Sequence, residues 1–83
     1  MKVLYFAWLR TKAGVGEEDL VPPAEVNDVA ALVGWLKGRS AGLADAFADM
    51  ALIRVAVNQD YVGLDHPVKS GDEIAFFPPV TGG

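Results

Sequence analysis

The chain closes on "GDEIAFFPPVTGG", Gly71 to Gly83. Three kinds of residue follow one another there, and their order decides the fold. Glu73 to Phe77 is a short β-forming run, with Ile74 and Phe76 on one parity and Ala75 and Phe77 on the other. A strand is expected, with Ile74 and Phe76 turned to a core. Pro78 and Pro79 fix φ and carry no backbone donor, so they cannot extend a sheet ladder or join a helix. They drive the chain off the strand in an extended, polyproline-like direction. Gly82 and Gly83 lack Cβ and can pass a channel too narrow for other residues. The six residues from Pro78 to Gly83 reach about 20 Å. What such a tail delivers is its terminal α-carboxylate.

Further back, "ALIRVAVN" (Ala51 to Asn58) alternates as a strand, with Ile53, Val55 and Val57 on one face and Arg54, Ala56 and Asn58 on the other. Turns are expected at Asn58-Gln59-Asp60 and at Lys69-Ser70-Gly71-Asp72, with a short strand at Tyr61-Val62. Before them the period is helical. Val29, Leu32, Val33 and Leu36 form one apolar stripe, Asn27 or Asp28 can cap it, and Lys37 and Arg39 suit its C-terminal dipole. "AGLADAFADM" (Ala41 to Met50) reads as a second, short helix, with Leu43 and Phe47 on one face. At the start, Lys2 to Trp8 is apolar on both parities and reads as a strand covered on both sides. Gly14 and Gly16 mark a turn, and Glu17 to Pro22 a weaker strand, which together suggest an opening hairpin. The order β-β-α-β-β-β with one main helix predicts an α+β roll. That is a β-grasp, or ubiquitin-like, arrangement: a mixed sheet on one main helix, the first and last strands adjacent, the tail leaving from the sheet's centre. Residues 1–77 are the expected domain and 78–83 the extended tail.

Composition narrows the possible activities. Eighty-three residues make one small domain, and 52% apolar content is ample for a core. No cysteine is present, which excludes disulfides and thiolate chemistry on this chain and suits a cytoplasmic setting. Eleven acids against seven bases leave a net charge of −4, so nucleic acid is not an expected partner. The apolar N-terminus is too short for a membrane span and lacks a small-residue cleavage site. Gly14 and Gly16 make no phosphate loop, because no helix follows them. His66, the one histidine, reads as a solvated turn residue, and Glu17, Glu18 and Asp19 as a solvated strand edge rather than a metal cluster. Ser40 and Ser70 have no general base nearby in sequence, and Trp8 and Trp35 read as packing. No metal and no bound cofactor are expected, and a stand-alone enzyme has no pair of residues to support it.

"VLYFAWLR" (Val3 to Arg10), "VNQDYV" (Val57 to Val62) and "DHPVKSGDEIAFFPPVTGG" (Asp65 to Gly83) together resemble the small, sulfur-carrying subunits of molybdopterin synthase. The resemblance spans the whole chain and is most specific in its last thirteen residues, Gly71 to Gly83. It implies that an ATP-dependent activating enzyme adenylates the carboxylate of Gly83. A sulfur donor then converts the acyl adenylate to a thiocarboxylate. Val80, Thr81, Gly82 and the two prolines thread that end into the large subunit, where sulfur passes to cyclic pyranopterin monophosphate. Two transfers build the dithiolene of molybdopterin. ATP would be used by the activating enzyme, and a heterotetramer with two large subunits at its centre is implied.

Parity places Phe6 beside Phe77 on the outer face if Val3, Tyr5 and Ala7 point inward, and Tyr61 can join them. The family meets its partners through aromatic or apolar residues at matching positions, which implies docking roles for Phe6, Tyr61 and Phe77. Arg10 is a candidate for an ion pair with either partner. Two alternatives remain: a carrier for thiamine or another sulfur pathway, and a ubiquitin-like binding module with an inert tail.

Overall fold

The first and last strands of the chain pair with each other in the middle of one sheet. The computed structural model describes residues 1–79. Strand β1 (Lys2–Tyr5) lies parallel to β5 (Glu73–Phe77), pairing Lys2 with Glu73 and Tyr5 with Phe76. On the far side of β5 runs β3 (Arg54–Val57), antiparallel, with Arg54 opposite Phe77. Strands β2 (Glu17–Asp19) and β4 (Asp60–Val62) form the edges, which completes a mixed sheet in the order β2-β1-β5-β3-β4. The expected α+β β-grasp roll is therefore present, and β5 ends at its centre. Val80, Thr81, Gly82 and Gly83 lie outside the described residues.

One face of the sheet packs on helix α2 (Val29–Arg39). Its stripe of Val29, Leu32, Val33 and Leu36 is buried, as the spacing predicts, against Val3, Tyr5, Val55, Val57, Ile74 and Phe76. Phe76 anchors this layer: its ring lies 5.0 Å from Phe47 and 6.3 Å from Tyr5. Of the two candidate caps, Asp28 takes the role, its carboxylate accepting from Ala31 N–H at 2.7 Å. Two further donors of the first turn are satisfied from outside the helix. Val29 N–H donates to the His66 carbonyl and Ala30 N–H to that of Leu64. His66 thus serves the fold through its backbone.

The expected opening hairpin survives as a strand pair but not as a glycine turn. β1 and β2 pair antiparallel, yet α1 (Trp8–Ala13) lies between them. The expected strand to Trp8 stops at Tyr5 because Ala7 takes φ 56°, ψ −134° and turns the chain out of the sheet. Ala7 is consequently exposed and not inward-facing. "WLRTKA" contains Leu, Arg, Lys and Ala, all strong helix formers, and Leu9 anchors the helix in the core. Gly14 ends it in the left-handed conformation at φ 81°. Helix α3 (Ala41–Ala46), capped by Ser40, packs on α1. Their approach is close: a Cβ on Gly42 would stand 2.0 Å from the Lys12 carbonyl oxygen.

Three other boundaries move inward. β2 ends at Asp19 rather than Pro22. The expected second helix stops at Ala46, and Met50–Leu52 forms a separate 3-10 turn capped by Asp49. That turn consumes Ala51 and Leu52, so β3 begins only at Arg54. Both predicted turns are present. Asn58 and Gln59 take φ 51° and 73°, the left-handed pair that a two-residue hairpin requires. Gly71 takes φ 90° in the turn that Asp72 N–H closes on the Lys69 carbonyl.

Candidate functional site

The chain leaves β5 at Phe77, and everything near that point is set by the sheet's register. Leu4, Ala56, Ala75 and Phe77 share the face opposite α2. The expectation that the first strand is covered on both faces fails here, because no element among the described residues packs on its outer side. Val3 and Tyr5 are buried inward, Leu4 is half-buried, and Phe6 is 49% exposed. Phe6 sits one residue beyond β1, with its N–H still donating to the Phe76 carbonyl at 3.1 Å, which keeps it alongside Phe77.

Tyr61 and Phe77 are brought together across an intervening strand. Tyr61 on β4 stands opposite Ala56 on β3, and Phe77 on β5 stands opposite Arg54. Their ring centroids are 5.3 Å apart at an interplanar angle of 48°, within the range of a tilted aromatic pair. The small side chain of Ala56, itself buried, leaves the space over β3 that the two rings close. Tyr61 is nevertheless 75% exposed, so the pair presents its outer surface to solvent. The third expected member, Phe6, lies on the β1 side of Phe77.

Arg10 stands on α1, with its guanidinium over Gly16, where a Cβ would lie 3.1 Å from Arg10 Cζ. Together with Phe6 and Leu4 it lines a shallow cleft of about 380 Å³ beside the end of β1. No carboxylate among the described residues lies within 4.0 Å of it. Pro78 and Pro79 follow β5 half-buried and outside any ladder. Trp8 is exposed rather than packed, whereas Trp35 packs on the core with Arg39 5.0 Å above its ring.

The remaining polar groups hold the scaffold. Burial pushes the Tyr5 hydroxyl well above the usual tyrosine range, and the hydrogen bond it donates to Glu18 at 2.8 Å acts in the same direction. Glu18 also lies 3.8 Å from Arg39, and Glu17 pairs with Lys2 at 3.3 Å, so two of the three acids of that edge are engaged in ion pairs. Asp72 is held below the ordinary carboxylate range, chiefly by the hydrogen bond from Asn58 Nδ2 and also by the Lys69 N–H; burial opposes this. Asn58 in turn accepts from Glu73 N–H, so one amide ties the β3–β4 hairpin to the start of β5. Among the described residues no cluster of three or more His, Cys, Asp or Glu could hold a metal, and no helix is long and apolar enough to cross a membrane.

A five-stranded β-grasp sheet with an uncovered aromatic face beside a proline-led tail defines a ubiquitin-like carrier fold. The chain belongs to the ThiS family, whose model matches residues 3–83. Over 83 residues it is 43% identical to the molybdopterin synthase sulfur carrier subunit of Escherichia coli, covering all of this chain and 99% of that one. With the human molybdopterin synthase sulfur carrier subunit it shares 38% identity, covering all of this chain and 93% of the relative. Among solved structures, the small archaeal modifier protein 1 of Haloferax volcanii superposes with a TM-score of 0.81 at 28% identity, covering 96% and 97% of the two chains. The resemblance read along the whole sequence is thus borne out over its full length.

The sequence assigns Arg54 no role beyond its strand parity. Its place directly opposite Phe77 is a fact of register, and no local pattern encodes it.

Proposed function

We propose that this chain is the sulfur-carrier subunit of a molybdopterin synthase and that the carboxyl group of Gly83 carries the sulfur. The observation that carries the reading is the exposed aromatic pair Tyr61–Phe77 at the point where β5 ends. The full-length likeness to sulfur carrier subunits supports it.

The chemistry follows from what a carboxylate lacks. It is a poor electrophile, so the activating enzyme must first transfer AMP from ATP onto Gly83, with pyrophosphate leaving. Sulfur from the donor then attacks the acyl carbon and AMP leaves, which gives the thiocarboxylate. An anionic sulfur is a strong nucleophile at neutral pH. Delivered into the large subunit, the sulfur adds to cyclic pyranopterin monophosphate, and water then cleaves the acyl–sulfur bond, which returns the Gly83 carboxylate and leaves the sulfur on the substrate; two such rounds supply both sulfurs of the dithiolene. This chain contributes position rather than acid–base groups. Phe6, Tyr61 and Phe77 bury apolar surface against the partner, Arg10 supplies a charge at the rim, and Pro78 and Pro79 set the tail's direction. With no cysteine, the chain has no thiol to compete for the activated acyl group. The cytoplasm, where ATP is present, is the compartment this cycle needs.

The test is the intact mass of the untagged protein after incubation with its cell extract, ATP and cysteine. The expected result is a gain equal to replacing one oxygen by sulfur, mapped to Gly83. An unchanged mass, while a known carrier is charged in the same extract, overturns the proposal. So does normal sulfur transfer by a chain that ends at Gly82.

A further inference from the structure

We propose that Arg54 and Arg10 form a two-sided cationic bracket around the root of the tail, matched to carboxylates on both sides of the channel mouth in the synthase large subunit. This rests on the carrier reading above and goes beyond it by assigning Arg54 and the chemistry of the partner's rim.

The chain has seven Lys and Arg residues in all. Lys2, Lys12, Arg39 and Lys69 each have a carboxylate within 4.0 Å. Arg10, Lys37 and Arg54 have none among the described residues. Lys37 belongs to the last turn of α2, on the layer behind the sheet. The other two stand on opposite flanks of β5 at the end where the tail begins. Arg54 is on β3, opposite Phe77. Arg10 is on the β1 side, over Gly16 and beside Phe6. In a protein of net charge −4, two cations with no carboxylate partner among the described residues flank one exit.

Arg54 is also held in place. Its Nη1 donates to the carbonyls of Ile53 at 3.2 Å and Ala51 at 3.4 Å, at the 3-10 turn that precedes β3. Both contacts use the same nitrogen, so Nη2 and Nε keep their donors. A planar fork with donors to spare, already restrained, suits bidentate capture of a carboxylate and loses less entropy in doing so. Neighbouring Tyr61 and Phe77 would exclude water around such a pair once docked, which strengthens it relative to an open surface.

Reach decides what the bracket meets. Six residues from Pro78 to Gly83 span about 20 Å when extended. The guanidinium groups at the tail's root therefore stand too far back to touch the phosphates at an adenylated Gly83. They meet the rim of whatever the tail enters, where the anionic groups a protein offers are Asp and Glu side chains. Such rim charges act mainly on the association rate and its salt dependence.

The experiment measures association of the full chain with the synthase large subunit of the same organism, at low and at high salt, for wild type, Arg54→Glu and Arg54→Lys. Circular dichroism and thermal melting of each variant confirm the fold. Arg54→Glu is expected to slow association about tenfold at low salt, with the gap closing at high salt. Arg54→Lys, which keeps the charge but loses the fork, should recover most of that rate yet dissociate faster. Wild-type association by Arg54→Glu at low salt, or a deficit that salt leaves unchanged, overturns the bracket. If wild type gains sulfur at Gly83 and Arg54→Glu still associates normally, only the bracket fails. If wild type gains no sulfur, the carrier reading fails and the bracket with it.

Discussion

Phe76 and Phe77 are adjacent in sequence, chemically identical and on opposite faces of β5, so replacing each in turn separates folding from docking. Phe76 is fully buried, and its ring packs against Phe47 and Tyr5. Phe76→Ala should cost about 3–5 kcal/mol, the range for deleting a core aromatic. A domain of 83 residues has about 4–12 kcal/mol in total at ordinary per-residue stability, so this variant stands near the edge of unfolding. Phe77 is only half-buried, and its truncation removes the tilted pairing with the Tyr61 ring. Phe77→Ala should cost about 1 kcal/mol, the scale of one aromatic pair, which moves Tm by about 4–8 °C in a domain this size. Its effect on partner binding should be larger. An aromatic anchor at an interface centre contributes at least about 2 kcal/mol, or roughly 30-fold in Kd. Urea unfolding of both variants and titration of Phe77→Ala with the large subunit provide the comparison. Equal stability losses would show that Phe77 is a core residue after all, and an unchanged Kd would remove it from the interface.

Other substitutions probe the scaffold. Gly42→Ala places a methyl against the Lys12 backbone and should destabilise by about 1–3 kcal/mol through forced separation of α1 and α3; an unchanged urea midpoint would show that the two helices are loosely apposed. Asp28→Ala removes the cap on Ala31 N–H and should cost about 1 kcal/mol, read from the same transition. Asp72 ionises below its ordinary range when folded, so its contribution is complete above its unfolded pKa of about 4 and fades as pH falls through the lower folded value. The stability difference between wild type and Asp72→Asn should therefore hold from neutral pH to about pH 5 and narrow below about pH 4. Parallel stability curves down to pH 2 would contradict that account.

Much of the architecture is legible in the sequence because the pattern is local. The α2 stripe, the alternation of β5, the two turns and the proline stop are each specified within a few residues, by side-chain size, parity or fixed φ. Helix α1 is not legible, because "YFAWLR" suits either a strand or a helix and the choice is made at Ala7. Its positive φ is a conformation that its residue type does not advertise. The late start of β3 has a similar origin, since Asp49 caps a 3-10 turn and takes Ala51 and Leu52 from the strand.

The sequence by itself determined the order of most elements, the burying faces of α2, β3 and β5 and the chemistry available at the tail, because these depend on neighbours along the chain. Only the tertiary structure decided that Tyr61 meets Phe77 above Ala56, that Phe6 stays uncovered, and that Arg10 and Arg54 stand on either side of β5. Those relations join residues up to about seventy positions apart, from Phe6 to Phe77. They arise because backbone hydrogen bonds put β1 and β3 against the same central strand and so set the register of everything around its end.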